Sequence, residues 1–445
     1  MTPAEDLIDK LKMHNKKPKY NRGWAGMVLP FGTRNPERYT FGDDFSEIIG
    51  IIVRLSLGLK AKVDNVAETF LAQILENVTI DDGITASEIA TLFSIETGAD
   101  KIPALLKYIP TDKFGFEEKQ ILGMTQAAAY IVNYASLESD TVWREFVDHE
   151  ESKDIYTSII LENLPVLQSA KQDKDFITID DDNLRKYMIQ DLHVLLQNKA
   201  FFLQHIQTFF GFYYFLSLIR QTMLISQVAD KEIPLYFAYD KEKVSASRMA
   251  VAKGYNLLNN ETKKLLVSLN LLDYLNVLAG NNDATTYKSL SELISLNSDD
   301  LLLNLKQFNF AYAKATDRTE NTPGALNEEI QKLRTWLNED IDQATQTRFR
   351  KPFDEIERLG FVKKRGRIGR TLNLKQEMIL VLTAAIVGSV PEKRLLVSKL
   401  FDEFAKRGIN MDKQTRDHIV ALYDEVNILE KLSDSGDAQY VKSIL

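Results

Sequence analysis

Ala344–Leu374 reads ATQTRFRKPFDEIERLGFVKKRGRIGRTLNL, and the order of elements in it decides the fold. A short helix ends at Leu359-Gly360. A strand, Phe361–Lys364, runs into a Gly-containing basic turn, Arg365–Arg370, and a return strand, Thr371–Leu374, closes the hairpin. A helix followed by a basic hairpin is the plan of the second half of a winged helix. Between Thr345 and Thr371 stand nine Lys or Arg (Arg348, Arg350, Lys351, Arg358, Lys363, Lys364, Arg365, Arg367, Arg370) against three acids (Asp354, Glu355, Glu357), a local charge of +6. The whole chain carries −8, so the remainder carries −14. A basic device in an acidic chain is more informative than the average charge.

The helix before the hairpin has two possible registers, because Pro352 is tolerated in a first turn but costs about 3 kcal/mol inside a helix. If the helix starts at Pro352, then Phe353, Ile356 and Leu359 form its buried stripe. If it starts earlier and kinks, Phe349 joins the buried face and Thr347, Lys351, Asp354 and Arg358 line the other. In both registers Lys351 and Arg358 are exposed, as a groove-facing helix requires. The hairpin has five basic residues and no acid between Phe361 and Leu374. Gly366 and Gly369 allow positive φ, and Arg365, Arg367 and Arg370 carry the guanidinium fork that pairs two phosphate oxygens. Five phosphate contacts predict a slope of about −4 to −5 in log K against log salt. The competing readings are an acidic protein partner and a solvated surface hairpin.

Downstream the plan repeats. Gln376–Gly388 is an apolar helix. Ser389 and Glu392 cap a next helix, with Pro391 in its first turn, that runs through Lys406 with Leu396, Leu400 and Phe404 in one row. Asp412 opens a third helix with Ile419, Leu422, Tyr423 and Val426 inward, and 427–445 forms a second hairpin. Asp434 and Asp437 make its tip acidic, which repels phosphate and predicts a docking or dimerisation surface.

Upstream the chain reads as helical. An irregular basic and aromatic arm, 16–39, is expected to touch a phosphate or to lie as a strap over the surface. Thr85 and Glu88 form a capping box opening a helix that resembles the start of a helix-turn-helix. The charged stretch 171–182 marks a boundary, and 183–227 is a long helical run. Ala200–Ile219 within it has no formal charge over 20 residues, the length of a membrane span. Gln204, His205, Gln207, Thr208, Ser217 and Gly211 interrupt it, and Lys199 and Arg220 flank it without an orienting bias. It is therefore expected to be the buried spine of a helical domain, with no membrane partner. Glu232–Tyr239 alternates as one isolated strand, and Asp317–Gly324 is a turn-rich linker. The predicted fold is mainly α, with multi-helical N-terminal and central regions and C-terminal tandem winged-helix-like modules carrying short β-hairpins. Its expected parts are a helical domain over 1–170, a central helical domain over 171–320, a module with a basic wing over 325–374, and a module with an acidic wing tip over 375–445.

The chain has 445 residues, 44% apolar and 27% charged, with no Cys. These values fit a globular protein and exclude disulfide frameworks and Cys-ligated metals. The N-terminal stretch lacks an apolar core of signal-peptide length, and a cytoplasmic location is expected. There is no P-loop and no His-Glu-x-x-His, the five His are scattered, and no cofactor motif is present. The carboxylate groups Asp148/Glu150/Glu151, Asp180–Asp182 and Asp299/Asp300 are expected at helix starts, where acids stabilise the dipole, or in loops. Glu117-Glu118-Lys119 has the letters of a metal nuclease but falls at a predicted helix start. The expectation leans against an enzyme, with a nicking nuclease as one alternative.

The segments Arg358-Leu359-Gly360-Phe361-Val362-Lys363-Lys364 and Ser433-Asp434-Ser435-Gly436-Asp437-Ala438-Gln439-Tyr440-Val441, with the helical front, resemble the DptG (DndG) family of bacterial phosphorothioation-dependent restriction proteins. The likeness is densest over the last hundred or so residues. It implies a cytoplasmic anti-phage defence subunit acting with a DptF-like ATPase and a DptH-like helicase on double-stranded DNA that lacks phosphorothioate. It brings no catalytic residue. The DNA-contacting residues expected are the nine cations of the opening stretch; the other alternative is a winged-helix assembly subunit of an ATPase complex with little DNA affinity of its own.

Overall fold

The computed structural model describes residues 1–13, 20, 28–33, 36–39, 41, 45–63, 66–77, 85, 87–88, 91, 101–111, 117–148, 155–170, 176–180, 182–226, 234–245, 247–281, 285–318, 322–431 and 439–445. The fold is mainly α, with short strands gathered into small sheets.

The N-terminal region holds α1 (Pro3–Lys10), α2 (Ile49–Ser56), α3 (Val66–Asn77), α4 (Glu118–Tyr134), α5 (Thr141–Asp148) and α6 (Ile155–Glu162). Thr2 and Glu5 close a reciprocal cap on α1, and Glu117 with Gln120 does the same for α4, so Glu117-Glu118-Lys119 is a helix start. Thr85 and Glu88 make the predicted cap, while most of the helix-turn-helix-like segment after them lies outside the described residues.

The central region holds β1 (Thr178–Ile179), α7 (Asn183–Leu196), α8 (Lys199–Ser226), β2 (Phe237–Tyr239), α9 (Met249–Lys263), α10 (Leu265–Leu278), β3 (Thr286–Tyr287), α11 (Leu290–Leu296) and α12 (Asp299–Ala315). The uncharged run is the core of α8, which is buried from Phe209 to Ile219 because α7, α9, α10 and the later helix Gln376–Gly388 cover it. Among the described residues no helix is long and apolar enough to cross a membrane. The first helix, α1, packs on α10 and α12, so the first residues belong with the central region. Of the arm, Tyr20 approaches the Tyr312 hydroxyl at 3.4 Å and Phe31 packs on Phe349 and Phe353. Val28, Leu29, Phe31 and Tyr39 are buried in the core, so these parts pack into the fold; Lys16, Lys17, Lys19, Arg22, Trp24 and Arg34 lie outside the described residues.

The C-terminal region holds α13 (Leu326–Asp340), α14 (Gln343–Arg350), α15 (Asp354–Arg358), β4 (Val362–Lys364), β5 (Arg370–Leu374), α16 (Gln376–Gly388), β6 (Arg394–Leu396), α17 (Val397–Lys406), α18 (Lys413–Glu425), β7 (Leu429–Lys431) and β8 (Gln439–Lys442). Two corrections arise here. The strand expected to be isolated is β2, and it pairs in parallel with β5, Phe237 opposite Leu372 and Tyr239 opposite Leu374. The hairpin thus sits in a three-stranded sheet ordered β2-β5-β4, whose third strand comes from before residue 320. Gly254 of α9 makes this possible: a Cβ there would stand 2.7 Å from the Tyr236 carbonyl oxygen. The helix expected from Pro391 through Lys406 is instead a turn, the strand β6 and then α17. Lys393 turns the chain at φ 51°, and Arg394–Leu396 pairs antiparallel with β8. The second unit therefore runs helix, strand, helix, helix, strand, strand, with sheet order β6-β8-β7, the full connectivity of a winged helix.

The two C-terminal units share the segment around β2. Phe237 donates its N–H to the Asn410 carbonyl at 2.9 Å, and Asn410 donates back to Leu235 at 3.2 Å. Arg248, buried, pairs with Glu242 at 2.8 Å and with Asp412, the N-cap of α18, at 2.8 Å. Thr415 closes the network by accepting from Arg248 at 2.6 Å and donating to Glu242 at 2.9 Å.

Candidate nucleic-acid interface

The helix before the hairpin starts early and bends. Asp342 caps α14, a 3-10 turn over Lys351–Phe353 absorbs Pro352, and α15 continues. Phe349 is buried, and Thr347, Lys351, Asp354 and Arg358 are exposed, the second of the two registers. Phe361, at the foot of the hairpin, stacks on Phe212 at 5.8 Å and meets Phe215 at 5.4 Å, which fixes the hairpin to the α8 spine. Its tip closes with the Arg365 N–H donating to the Gly369 carbonyl at 2.8 Å. Gly366 and Gly369 hold φ of 53° and 83°, the left-handed region that favours glycine.

Eight of the nine cations divide into three groups, and Arg350 stands apart. Lys363 and Arg365 are structural. The Lys363 ammonium donates to the Asp240 carbonyl at 2.9 Å and its carboxylate at 2.7 Å. Burial alone would raise Asp240, but the Lys363 bond and charge outweigh it and hold that carboxyl below the usual range. Arg365 spends its fork on Thr371 Oγ1 at 3.0 Å, the Glu242 carbonyl at 2.6 Å, the Tyr239 carbonyl at 2.7 Å and Asn373 Oδ1 at 2.8 Å. Partial burial pulls its guanidinium below the ordinary arginine value.

Lys364, Arg370 and Arg358 are exposed but compensated. Glu357 of α15 pairs with Arg370 at 2.9 Å and Lys364 at 3.5 Å, tying helix to hairpin. Arg358 stands 3.7 Å from Glu355 Oε2, which also accepts from the Phe41 N–H at 3.2 Å. Half-buried Arg350 donates to Asn259 at 3.1 Å. Arg348, Lys351 and Arg367 are exposed with no ion-pair partner among the described residues. The surface available to a polyanion is thus the bent helix plus the hairpin tip, with three free and three shared cations. Five unencumbered cations on the hairpin are not what the fold leaves.

The corresponding helix of the second unit, α18, exposes Lys413, Gln414, Arg416, Asp417, His418, Ala421, Asp424 and Glu425. Arg416 lies over the Phe401 ring at 5.4 Å and donates to the Met411 carbonyl at 3.0 Å. Three acids and one free cation make a poor phosphate surface. The acidic tip with Asp434 and Asp437 lies outside the described residues.

Among the described residues no group of three or more His, Asp or Glu could hold a metal ion. His205 is fixed by Glu377 at 2.9 Å, and His193 by Asp140 at 2.7 Å. Asp182 is buried as the N-cap of α7, accepting from Tyr134 and Gln221, each at 2.6 Å. The acids that decide the basic surface, Asp240 and Glu357, were not singled out from sequence as its partners. Strand alternation carried part of the signal: Lys363 and Arg365 share one face of the hairpin, and Lys364 the other. No protein-family model matches the chain, and no curated protein is significantly similar to it.

Proposed function

We propose that this chain is a non-catalytic, DNA-contacting subunit of a phosphorothioation-dependent restriction complex. In this reading it sits on the backbone of double-stranded DNA lacking phosphorothioate, in the cytoplasm, alongside an ATPase and a helicase-like partner. The observation that carries the DNA contact is the exposure of Arg348, Lys351, Arg358, Lys364, Arg367 and Arg370 on one bent helix and the hairpin beside it, in a chain of net charge −8. The defence role rests on the family resemblance of the last hundred or so residues. With three free cations and a net contribution of about one from the compensated group, three to four phosphate contacts are expected. That predicts a slope of about −3 in log K against log salt, or roughly sixty-fold weaker binding at 200 mM than at 50 mM. Fluorescence anisotropy on a labelled duplex tests this. Lys364→Glu with Arg367→Glu should remove most of the binding at 50 mM salt while leaving the thermal unfolding curve in place; binding that survives unchanged overturns the proposal.

A second reading, an assembly subunit with little DNA affinity of its own, draws support from Glu357 pairing with two hairpin cations and from the mixed charge of α18. The two readings part in one experiment. The assembly subunit leaves duplex DNA unbound at low salt yet binds the isolated ATPase.

A further inference from the structure

The helix α12 presents an apolar stripe that nothing in the chain covers among the described residues. Leu301, Leu305, Phe308 and Tyr312 are buried against α10 and α13, whereas Leu303 is 57% exposed and Phe310 66% exposed on the opposite side. The exposed positions run Asp300, Leu303, Gln307, Phe310, Lys314, with alternating steps of three and four residues. That is the 3.5-residue spacing of a helix that meets another helix along its length. Two large exposed apolar side chains in register on one helix mark an interaction surface better than scattered ones do.

The order of residues along the stripe selects the occupant. It is acid, apolar, Gln, apolar, base, and it is symmetric about Gln307. A second α12 turned through 180° about an axis at Gln307 sets Leu303 against Phe310 of the second copy and Asp300 against Lys314 of the second copy, each contact occurring twice. This self-complementarity is what a two-fold, isologous interface requires. Neither Asp300 nor Lys314 has an ion-pair partner among the described residues, so both charges are free for this exchange. Asp299, exposed beside Asp300, adds a second acid at the start of the helix.

We propose that α12 is a homodimerisation helix that pairs antiparallel with α12 of a second copy. One helix pair buries less surface than a standard stable interface, so the dimer is weak, with a dissociation constant on the order of tens of micromolar. Sedimentation velocity of the full chain from about 1 to about 200 μM reads it. Phe310→Asp should abolish the dimer, and its unchanged thermal unfolding shows that the exposed position does not disturb the fold. Asp300→Lys alone and Lys314→Asp alone should each weaken self-association about tenfold, because like charges then meet at both ends. An equimolar mixture of these two variants should dimerise at least as tightly as the wild type, since every pair across that heterodimer is acid to base. A wild-type chain that stays monomeric throughout the range overturns the proposal. So does a Phe310→Asp variant that dimerises like the wild type, or a mixture that associates no better than its components.

Discussion

Removing one half of the ion pair between Asp191 and Arg407 is expected to cost about 3–5 kcal/mol, while replacing the whole cluster by apolar residues costs far less. The magnitude follows from burial. The two side chains are 2% and 5% exposed, and the guanidinium fork meets the carboxylate at 2.8 and 2.7 Å through Nε and Nη2. Tyr213 donates to the same carboxylate, Arg407 lies over the Tyr187 ring at 4.6 Å, and its Nη1 reaches the Glu403 carbonyl at 3.0 Å. Burial alone would lower the Arg407 pKa, but Asp191 beside it holds it above the ordinary value, so the cation keeps its charge in every folded state. Asp191→Ala therefore leaves the buried guanidinium with the more exposed Glu403 carboxylate, 3.1 Å from Nη1, as its counter-charge, rather than merely removing one contact. Because Arg407 closes α17 and Asp191 lies on α7, the local effect is to loosen the second winged-helix unit from the spine. Native-state hydrogen exchange of the α17 and α18 amides reads that opening directly. Asp191→Ala and Arg407→Ala should each lower their protection by about 3–5 kcal/mol, and the double variant by much less than the sum. The triple variant Asp191→Leu, Tyr213→Phe, Arg407→Met should lie within about 2 kcal/mol of the wild type. A coupling energy within about 0.5 kcal/mol of zero refutes the argument that the pair acts as a unit.

Three further outcomes follow from the described contacts. Arg365→Ala should lose about 2 kcal/mol of stability in urea unfolding and leave the salt slope of DNA binding nearly unchanged, whereas Arg367→Ala should do the reverse, lowering the slope by about one and leaving stability within about 0.5 kcal/mol. Gly254→Ala should destabilise by roughly 1–3 kcal/mol, because the added methyl meets the backbone of Tyr236 and pushes β2 off α9; the melting temperature checks it. Burial pushes Asp273 up to about 7, against the lowering effect of the Tyr287 hydroxyl bond, and its second oxygen has no partner among the described residues. The native state then holds a proton that the unfolded chain releases near pH 3.9, so stability falls as pH rises from about 4 to about 7, by at most about 1.4 kcal/mol per unit. Asp273→Asn, which keeps an acceptor for Tyr287, should flatten that decline in the urea midpoint measured against pH.

The elements with strong local grammar were legible in the sequence. The hairpin announced itself through Gly366, Gly369 and the alternation around them, and the buried spine through an uncharged run interrupted by polar residues that a membrane helix would not carry. Pairings between distant segments were not legible. Nothing near Phe237 specifies Leu372 as its neighbour, so β2 looked isolated until the fold brought β5 alongside. At Ser389-Val390-Pro391-Glu392 the letters of a helix start outvoted a three-residue strand, because the partner that makes Arg394–Leu396 a strand, β8, lies beyond residue 438. The same limit applies to charge. A count gives +6 for the opening stretch, but Glu357 reaches Arg370 across thirteen positions and Asp240 reaches Lys363 from another unit altogether. Residue type set the number of cations; the long-range contacts set how many are free.

Under the proposed DNA-contacting role, the number of free cations limits affinity. Three to four phosphate contacts are too few for firm binding at physiological salt, and the rest of the chain, at −14, repels the duplex. A rigid second set of contacts changes the arithmetic, because linked sites bind at high effective concentration without any new residue. If α12 pairs two copies, both basic surfaces belong to one particle, and the phosphate contacts double. On a duplex long enough to span both surfaces, at protein concentrations above the dimer constant, the wild-type salt slope should approach about −6, and Phe310→Asp should return it to about −3. Short duplexes that reach only one surface should give about −3 for both proteins. Equal slopes for wild type and Phe310→Asp on long DNA, with dimerisation itself confirmed, would show that the two surfaces point away from any common duplex and that the dimer serves assembly instead.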